Sequence, residues 1–368
     1  MKRPDSASSI YFRLCTATLF FLVAAASFGG FYTKWHFREA GVPGGAGLYG
    51  DQRYGLAEIL DGTAARPYVY SQFIPTVANW LDSTVPQSTK DWIYSNIQDT
   101  TPIQNAIATS KLAGDPKFFF RYWTVYALIF LSAWLAVFAM YLVCKALGAP
   151  RLVCLLAPSI VILLFPWIET LGGYFYDYPD LAFLALAVWI SLRYPWWLLL
   201  PVVALGAWNR ESFILILPAL YPLLRQRTSR PQAITAVAAM AITGIAVIAG
   251  LYHQFHQNYG FMLASRWRVQ LSYFVYPAHY FKMEATYGIP FFRLYSVIPY
   301  TLMVWTVWRG WRRLPKVIQR HAQLAAAMSF PFCFLFCMPA ETRELSALYI
   351  ALLLIVAVHL TPRDEQWT

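Results

Sequence analysis

Hydrophobic residues run through this chain in long stretches, and polar residues punctuate them. Apolar windows fall at about 13–32, 122–144, 151–168, 178–194, 196–208, 212–224, 232–252, 291–308, 325–340 and 345–360. A helix that crosses a bilayer needs roughly 20 apolar residues, with tilt and local thinning moving that figure. The pattern therefore predicts an all-α, polytopic transmembrane bundle of about ten spans, a single membrane-embedded domain over residues 1–368. The windows at 196–208 and 212–224 are short and meet at Trp208-Asn209-Arg210-Glu211. They read as two short spans or as one re-entrant hairpin, and either choice leaves the flanking segments on one side.

Composition agrees with that class. The chain is 58% hydrophobic and only 13% charged, with a mean hydropathy of +0.45, more apolar surface than a water-soluble domain of 368 residues can place inside. The five cysteines have no paired spacing and imply neither a disulfide framework nor a zinc pattern; Cys333 and Cys337, i and i+4 in an apolar run, read as packing residues. Met1-Lys2-Arg3 ahead of an apolar run resembles a signal peptide. With no clear cleavage site and further spans behind it, it reads as a retained first helix.

The net charge of +11 changes the picture only through its distribution. The basic residues form short clusters between apolar runs rather than one stripe interleaved with aromatics, which excludes a nucleic-acid partner. Lys145 and Arg151, then Arg193, then Arg225, Arg227 and Arg230, then Arg309, Arg312, Arg313, Lys316 and Arg320 fall on alternate connections. By the positive-inside rule these connections are cytoplasmic, and both termini with them. Eight further Lys and Arg lie between Lys34 and Arg121, in a loop long enough to translocate regardless of charge. This topology predicts a multi-pass protein of a bacterial inner membrane. Of 18 Asp and Glu only Asp5, Asp364 and Glu365 are then cytoplasmic, leaving 15 on the opposite side, and a polar working face there accounts for the asymmetry.

Two extracytoplasmic loops are long, 33–121 and 253–290. The first opens on GVPGGAGLYGDQRYG, where no Lys-Ser/Thr follows the glycines and a nucleotide phosphate loop is excluded. YGLAEIL reads as a short helix and STKDWIYSNIQDTTPIQNAI as interfacial helices.

Four polar clusters stand at helix ends. Asp51, Tyr54 and Arg66 lie in the first loop; there Asp51 is either a helix N-terminal carboxylate or a base. Glu169, Asp177 and Asp180 sit between two apolar spans with Tyr174, Tyr176 and Tyr178. An N-cap at Asp177 before Pro179 explains one carboxylate, whereas three together point to a polar cavity, since charge there must be paired, hydrated or used. Arg210 and Glu211 follow Asn209, which is itself a candidate cap, and Arg210 would be neutralised by Glu211 or by the acids of the second cluster. Glu341, Arg343 and Glu344 form the fourth, the arginine offering five donors suited to phosphate oxygens. Arg266, Arg268, His279 and Lys282 in the second loop offer further phosphate contacts. Carboxylates and arginines at one membrane surface can hold a lipid-linked phosphate and deprotonate a hydroxyl, with Asp51, Asp177 and Asp180 as candidate catalytic groups. No cofactor is demanded, and the carboxylates leave room for a divalent metal without a recognisable ligand spacing.

The long loop directly after the first span, with Asp51, Tyr54, Ala57 and Gly62 ahead of Arg66-Pro67, resembles the GT-C superfamily of membrane glycosyltransferases. GGYFYDYPD, AWNRES and ETRE look like patterns of uncharacterised bacterial polytopic relatives. The resemblance implies a GT-C-like fold, a polyprenyl-phosphate-linked sugar donor, and Asp51 as base. The chain departs from the superfamily in having Gln52 where an Asp-Glu pair is usual, and in being short. The competing readings are a non-catalytic membrane scaffold that partners another membrane protein, and a lipid or polysaccharide transporter. The last would need ionisable residues at mid-membrane and an inverted repeat, neither of which the sequence has.

Overall fold

A computed structural model describes residues 6–39, 55–109, 113–169, 173–260, 265–337 and 341–362. The chain is an all-α, multi-pass membrane protein, with one small hairpin among the described residues. Its first helix, α1 (Ser6–Glu39), leads into short helices α2 (Leu56–Leu60), α3 (Phe73–Thr84), α4 (Gln87–Ile97) and α5 (Thr101–Thr109). The body follows as α6 (Phe119–Ala146), α7 (Arg151–Ile168), α8 (Asp177–Arg193), α9 (Leu199–Asn209), α10 (Leu217–Leu224) and α11 (Arg230–Gln254). Then come α12 (Trp267–Val275), β1 (Met283–Thr286), β2 (Ile289–Phe292), α13 (Val297–Trp311), α14 (Lys316–Phe336) and α15 (Tyr349–Leu360). Tight 3-10 turns at Glu211–Ile216 and Thr342–Leu348 feed α10 and α15.

Among the described residues five helical segments are long and apolar enough to cross a bilayer: Ile10–Thr33, Phe119–Ala146, Arg151–Ile168, Arg230–Gln254 and Thr342–Leu360. The hydrophobic windows had suggested about ten. The shortfall has a physical origin. The segments Trp196–Asn209 and Glu211–Leu224 are too short, a 14-residue helix reaching only about 21 Å against a hydrocarbon core of about 30 Å. Helix α8, at 17 residues, reaches only about 26 Å, and protein covers most of its surface. The window at 291–308 loses its start to β2, and α13 begins only at Val297.

Helix α8 is the axis of the bundle, packed on α6, α9, α10 and α15. Its most extensive partner is α6, and both bury small residues, Ala133, Ala136 and Ala139 on α6 and Ala182, Ala185 and Ala187 on α8. Small side chains let two backbones approach closely, and close packing drives helix association where lipid removes the hydrophobic term. Local signals end the helices as their chemistry requires. After α6, Gly148 takes φ +75 while Ala149 N–H reaches Cys144 O and Gly148 N–H reaches Lys145 O, a Schellman closure. At the start of α11, Ser229 and Gln232 cap each other's backbone amides reciprocally.

The first loop forms the expected short helix at α2 and polar helices at α4 and α5, and adds α3, which packs on α6. The second loop contains a hairpin that the sequence reading did not anticipate. Tyr287 (φ 58) and Gly288 (φ 74) form a two-residue turn with both residues left-handed, which suits the twist of a tight hairpin. The Tyr287 ring lies against Gly30 of α1, and its hydroxyl donates to Leu163 O of α7 at 2.7 Å. Trp167 Nε1, also of α7, donates to Phe292 O, so the hairpin is pinned onto α7 and rests against α1.

The connections sort into two ends. One gathers the turns at 146–151, 193–196, 225–230 and 312–316, where Arg193 Nη2 donates to Ala146 O and Arg313 Nη2 to Thr361 O. The other gathers 55–109, 113–118, 173–177, 209–211, 255–260, 265–296 and 341–344.

Candidate functional site

At the second end three short connections converge: between α7 and α8, between α9 and α10, and between α14 and α15. Each contributes charge that the surrounding protein buries. Glu169, Asp177, Asp180, Asn209, Arg210, Thr342 and Arg343 are all buried, Glu169 completely.

Arg210 joins the connections. Its Nη1 meets Asp180 Oδ2 at 3.3 Å and donates to Arg343 O at 3.0 Å, and its Nη2 meets Glu344 Oε1 at 2.5 Å. Asp180 and Glu344, rather than the adjacent Glu211, therefore neutralise it. Arg343 pairs with Glu341 and lies 3.8 Å from Glu344 through Nε. A pair of stacked tyrosines supports both cations. Tyr174 and Tyr176 lie 5.2 Å apart and nearly parallel, with the Arg343 guanidinium 3.9 Å from the Tyr174 centroid and that of Arg210 5.4 Å from Tyr176. Stacking on aromatic faces favours arginine over lysine and substitutes for lost water.

The remaining carboxylates are held by hydrogen bonds. Tyr349 O–H donates to Glu169 Oε1 at 2.8 Å and also approaches Thr342 O, while the Thr342 hydroxyl donates to Ile168 O. Burial, with Asp177 nearby, holds the Glu169 carboxyl well above the ordinary carboxylate range. Asp177 is the first residue of α8 rather than its cap, and its Oδ2 accepts the Tyr174 backbone N–H at 2.6 Å. Asn209 does not cap the following turn; its amide donates to Tyr176 O at 2.9 Å and ties two connections together.

A satellite of this cluster includes Glu211, which accepts the Tyr252 hydroxyl at 2.9 Å. The Tyr252 ring packs 4.5 Å from that of Tyr70, and Tyr70 interacts with Arg66. Arg66 also donates through Nη2 to Gly260 O at 2.8 Å, across a trans-loop bridge, and precedes a cis Pro67.

The sequence-predicted residues thus divide. Glu169, Asp177, Asp180, Arg210, Glu341, Arg343 and Glu344 come together in one network, with Glu211 and Arg66 beside it. The second-loop cations remain apart: Arg268 is exposed over Trp267, and His279 stacks on Tyr273 at 3.9 Å with Nδ1 on Tyr273 O. Lys282 faces the same Tyr273 ring, and the backbone N–H of Arg266 bonds Leu335 O. Asp51 and Tyr54 lie outside the described residues. Sequence reasoning missed Tyr349 and Tyr252 because each is one tyrosine on an apolar helix, identifiable only from the carboxylate it meets.

It also took Cys337 for a packing residue. Cys337 stands beyond the end of α14, where its Sγ and carboxylate oxygens of Glu341 and Glu344 all lie within 4.8 Å of one another. A thiolate and two carboxylates are a donor set that can take a divalent cation. Both carboxylates already serve arginines here, so a cation would compete with a guanidinium. No family model, curated protein or solved structure matches this chain.

Proposed function

We propose that this protein is a GT-C-like glycosyltransferase that moves a sugar from a polyprenyl-phosphate-linked donor to an acceptor at the extracytoplasmic face of a bacterial inner membrane. In this reading the short helices complete ten crossings, both termini are cytoplasmic, and the three-connection cluster faces outward. One observation carries the proposal. Arg343 is buried, yet its Nη1 has no hydrogen-bond partner among the described residues and its Nε meets only Glu344, at 3.8 Å. An unsatisfied buried donor costs about 1–3 kcal/mol or more when charged, and a ligand's phosphate oxygen would remove that cost.

The supporting chemistry is a surplus of acid. Glu169, Asp177, Asp180, Glu341 and Glu344 surround Arg210 and Arg343. Arg343 would bind the departing lipid phosphate while Asp177 or Asp180 orients and deprotonates the attacking hydroxyl. Asp51, the base implied by family resemblance, would approach from the first loop. The test is transfer from a polyprenyl-phosphate sugar pool by the purified chain in lipid vesicles. We expect Asp51→Asn, Asp180→Asn and Arg343→Lys each to lose about a hundredfold or more in rate, with helix content unchanged. A parent protein inactive with every such donor overturns the proposal.

A second reading has its own observation. Arg210 spends its donors on Asp180, Glu344 and Arg343 O, as a purely structural clasp would. That favours a non-catalytic subunit held to a membrane partner, and co-purification of a stable partner with an inactive parent would select it.

A further inference from the structure

The other end of the bundle has a cavity that the proposed transfer does not use. It measures about 510 Å³ and is lined by Arg193, Gln226, Arg227, Pro315 and Val317, with Ala146, Leu147 and Leu192 forming its apolar wall. The lining comes from four separate turns, each of which ends one body helix and starts another. We propose that this cavity binds a phosphate-bearing anion between Arg193 and Arg227, with the acyl chains of a lipid donor of that phosphate lying against the neighbouring helices.

Three observations support the assignment. First, the charge of the four turns is of one sign. Lys145, Arg151, Arg193, Arg225, Arg227, Arg230, Arg312, Arg313 and Lys316 belong to these turns, and residues 145–151, 193–196, 225–230 and 309–320 contain no Asp or Glu. None of the described ion pairs engages Arg193 or Arg227. Low-dielectric walls focus such a field into a concave site.

Second, the arginines keep donors in reserve. Arg193 uses Nη2 on Ala146 O at 2.6 Å, which fixes its stem at the rim, and a guanidinium has five N–H groups. Its planar fork suits two phosphate oxygens at once, and Gln226 adds an amide donor. Third, the turn at Pro315 opens α14 without a side-chain cap, beside Val317 in the lining, so the positive end of that helix adds to the field. Basic pockets between membrane helices are suited to anionic lipid headgroups, and the apolar wall from Leu147 and Leu192 fits a ligand that is part lipid.

The test uses the full chain purified in zwitterionic phosphatidylcholine vesicles. Binding of fluorescent phosphatidylglycerol is titrated, and inorganic phosphate is titrated separately by calorimetry. An Arg193→Gln/Arg227→Gln variant is compared with an Arg309→Gln/Arg312→Gln variant, which removes equal charge from the same end outside the lining. Loss of about tenfold or more in lipid affinity for the first pair only, equivalent to at least one charge-assisted hydrogen bond, supports the site with a lipid headgroup as its source. The same selective loss for inorganic phosphate, with lipid binding unchanged, supports the site with a soluble source. Equal losses in both pairs, or none in either, overturn the proposal. Arg193→Lys/Arg227→Lys, which keeps the charge, should retain part of the affinity and shows that lost binding is not lost folding.

Discussion

The two ends of the bundle use arginine in opposite ways. At the end formed by 173–177, 209–211 and 341–344, Arg210 and Arg343 are buried and stacked on tyrosines; Arg210 pairs with carboxylates of two other connections, Asp180 and Glu344, and Arg343 with Glu341 and Glu344 of its own. At the 146–151/193–196/225–230 end, Arg193 and Arg225 are exposed and spend donors on carbonyls at or near helix ends, Ala146 O and Thr228 O. The first arrangement fixes how loops sit against one another, because the ion pairs of Arg210 reach two other connections. The second spends its donors on backbone carbonyls, Arg225 within its own turn and Arg193 across to the end of α6, and leaves the charge unspent. Net charge therefore says little about what an arginine does in a membrane protein. Whether a carboxylate from another element is buried beside it decides.

The largest effect that would break this comparison is topological. In a Cys15→Ser background, Ser83→Cys and Gln226→Cys should label with a membrane-impermeant thiol reagent from opposite sides of the membrane, one fully and the other not at all. Labelling of both from the same side would show that the two ends do not face opposite compartments. Next comes Arg210→Met. Removing one member of a buried ion network typically costs about 3–5 kcal/mol, because its partners stay charged and unpaired. Thermal unfolding in detergent should fall steeply, and addition of Asp180→Asn should recover part of the loss. Arg225→Gln at the other end should shift the same transition by no more than about 1 kcal/mol.

Two smaller tests sharpen the picture. Gly173→Ala places a Cβ against the Phe31 ring, where the connection preceding α8 crosses α1. Overpacking of this kind costs about 1–3 kcal/mol, and Phe31→Leu in the same chain should relieve it. Tyr349→Phe removes the donor to Glu169 Oε1 and should cost about 1–3 kcal/mol by the same melting measurement. If Tyr349→Phe were neutral, Glu169 would have another adequate donor and the network would be more redundant than its hydrogen bonds indicate.

The membrane class and the two-ended charge pattern were legible without coordinates. Hydrophobic length and the alternation of basic turns are local properties of the chain, and lipid imposes the same requirement on every span. The four polar clusters were visible for a related reason: a charge between apolar runs stands out against its neighbours. The pairing within them was not visible. Arg210 has Glu211 beside it in sequence, yet its partners are Asp180 and Glu344, because the 3-10 turn at Glu211–Ile216 carries Glu211 toward Tyr252 instead. The hairpin at 283–292 was hidden because its first strand and Tyr-Gly turn read as part of the 253–290 loop, and Phe291 and Phe292 as the start of an apolar span.

Sequence by itself determined that this protein belongs in a bilayer and which connections carry charge, since each follows from the solvent a short segment needs. Only the tertiary structure decided that α8 is an interior axis rather than a lipid-facing span, and that three distant connections share one buried network. Those outcomes depend on which helices pack together, as when small residues let α6 and α8 approach, and no single segment encodes its neighbour.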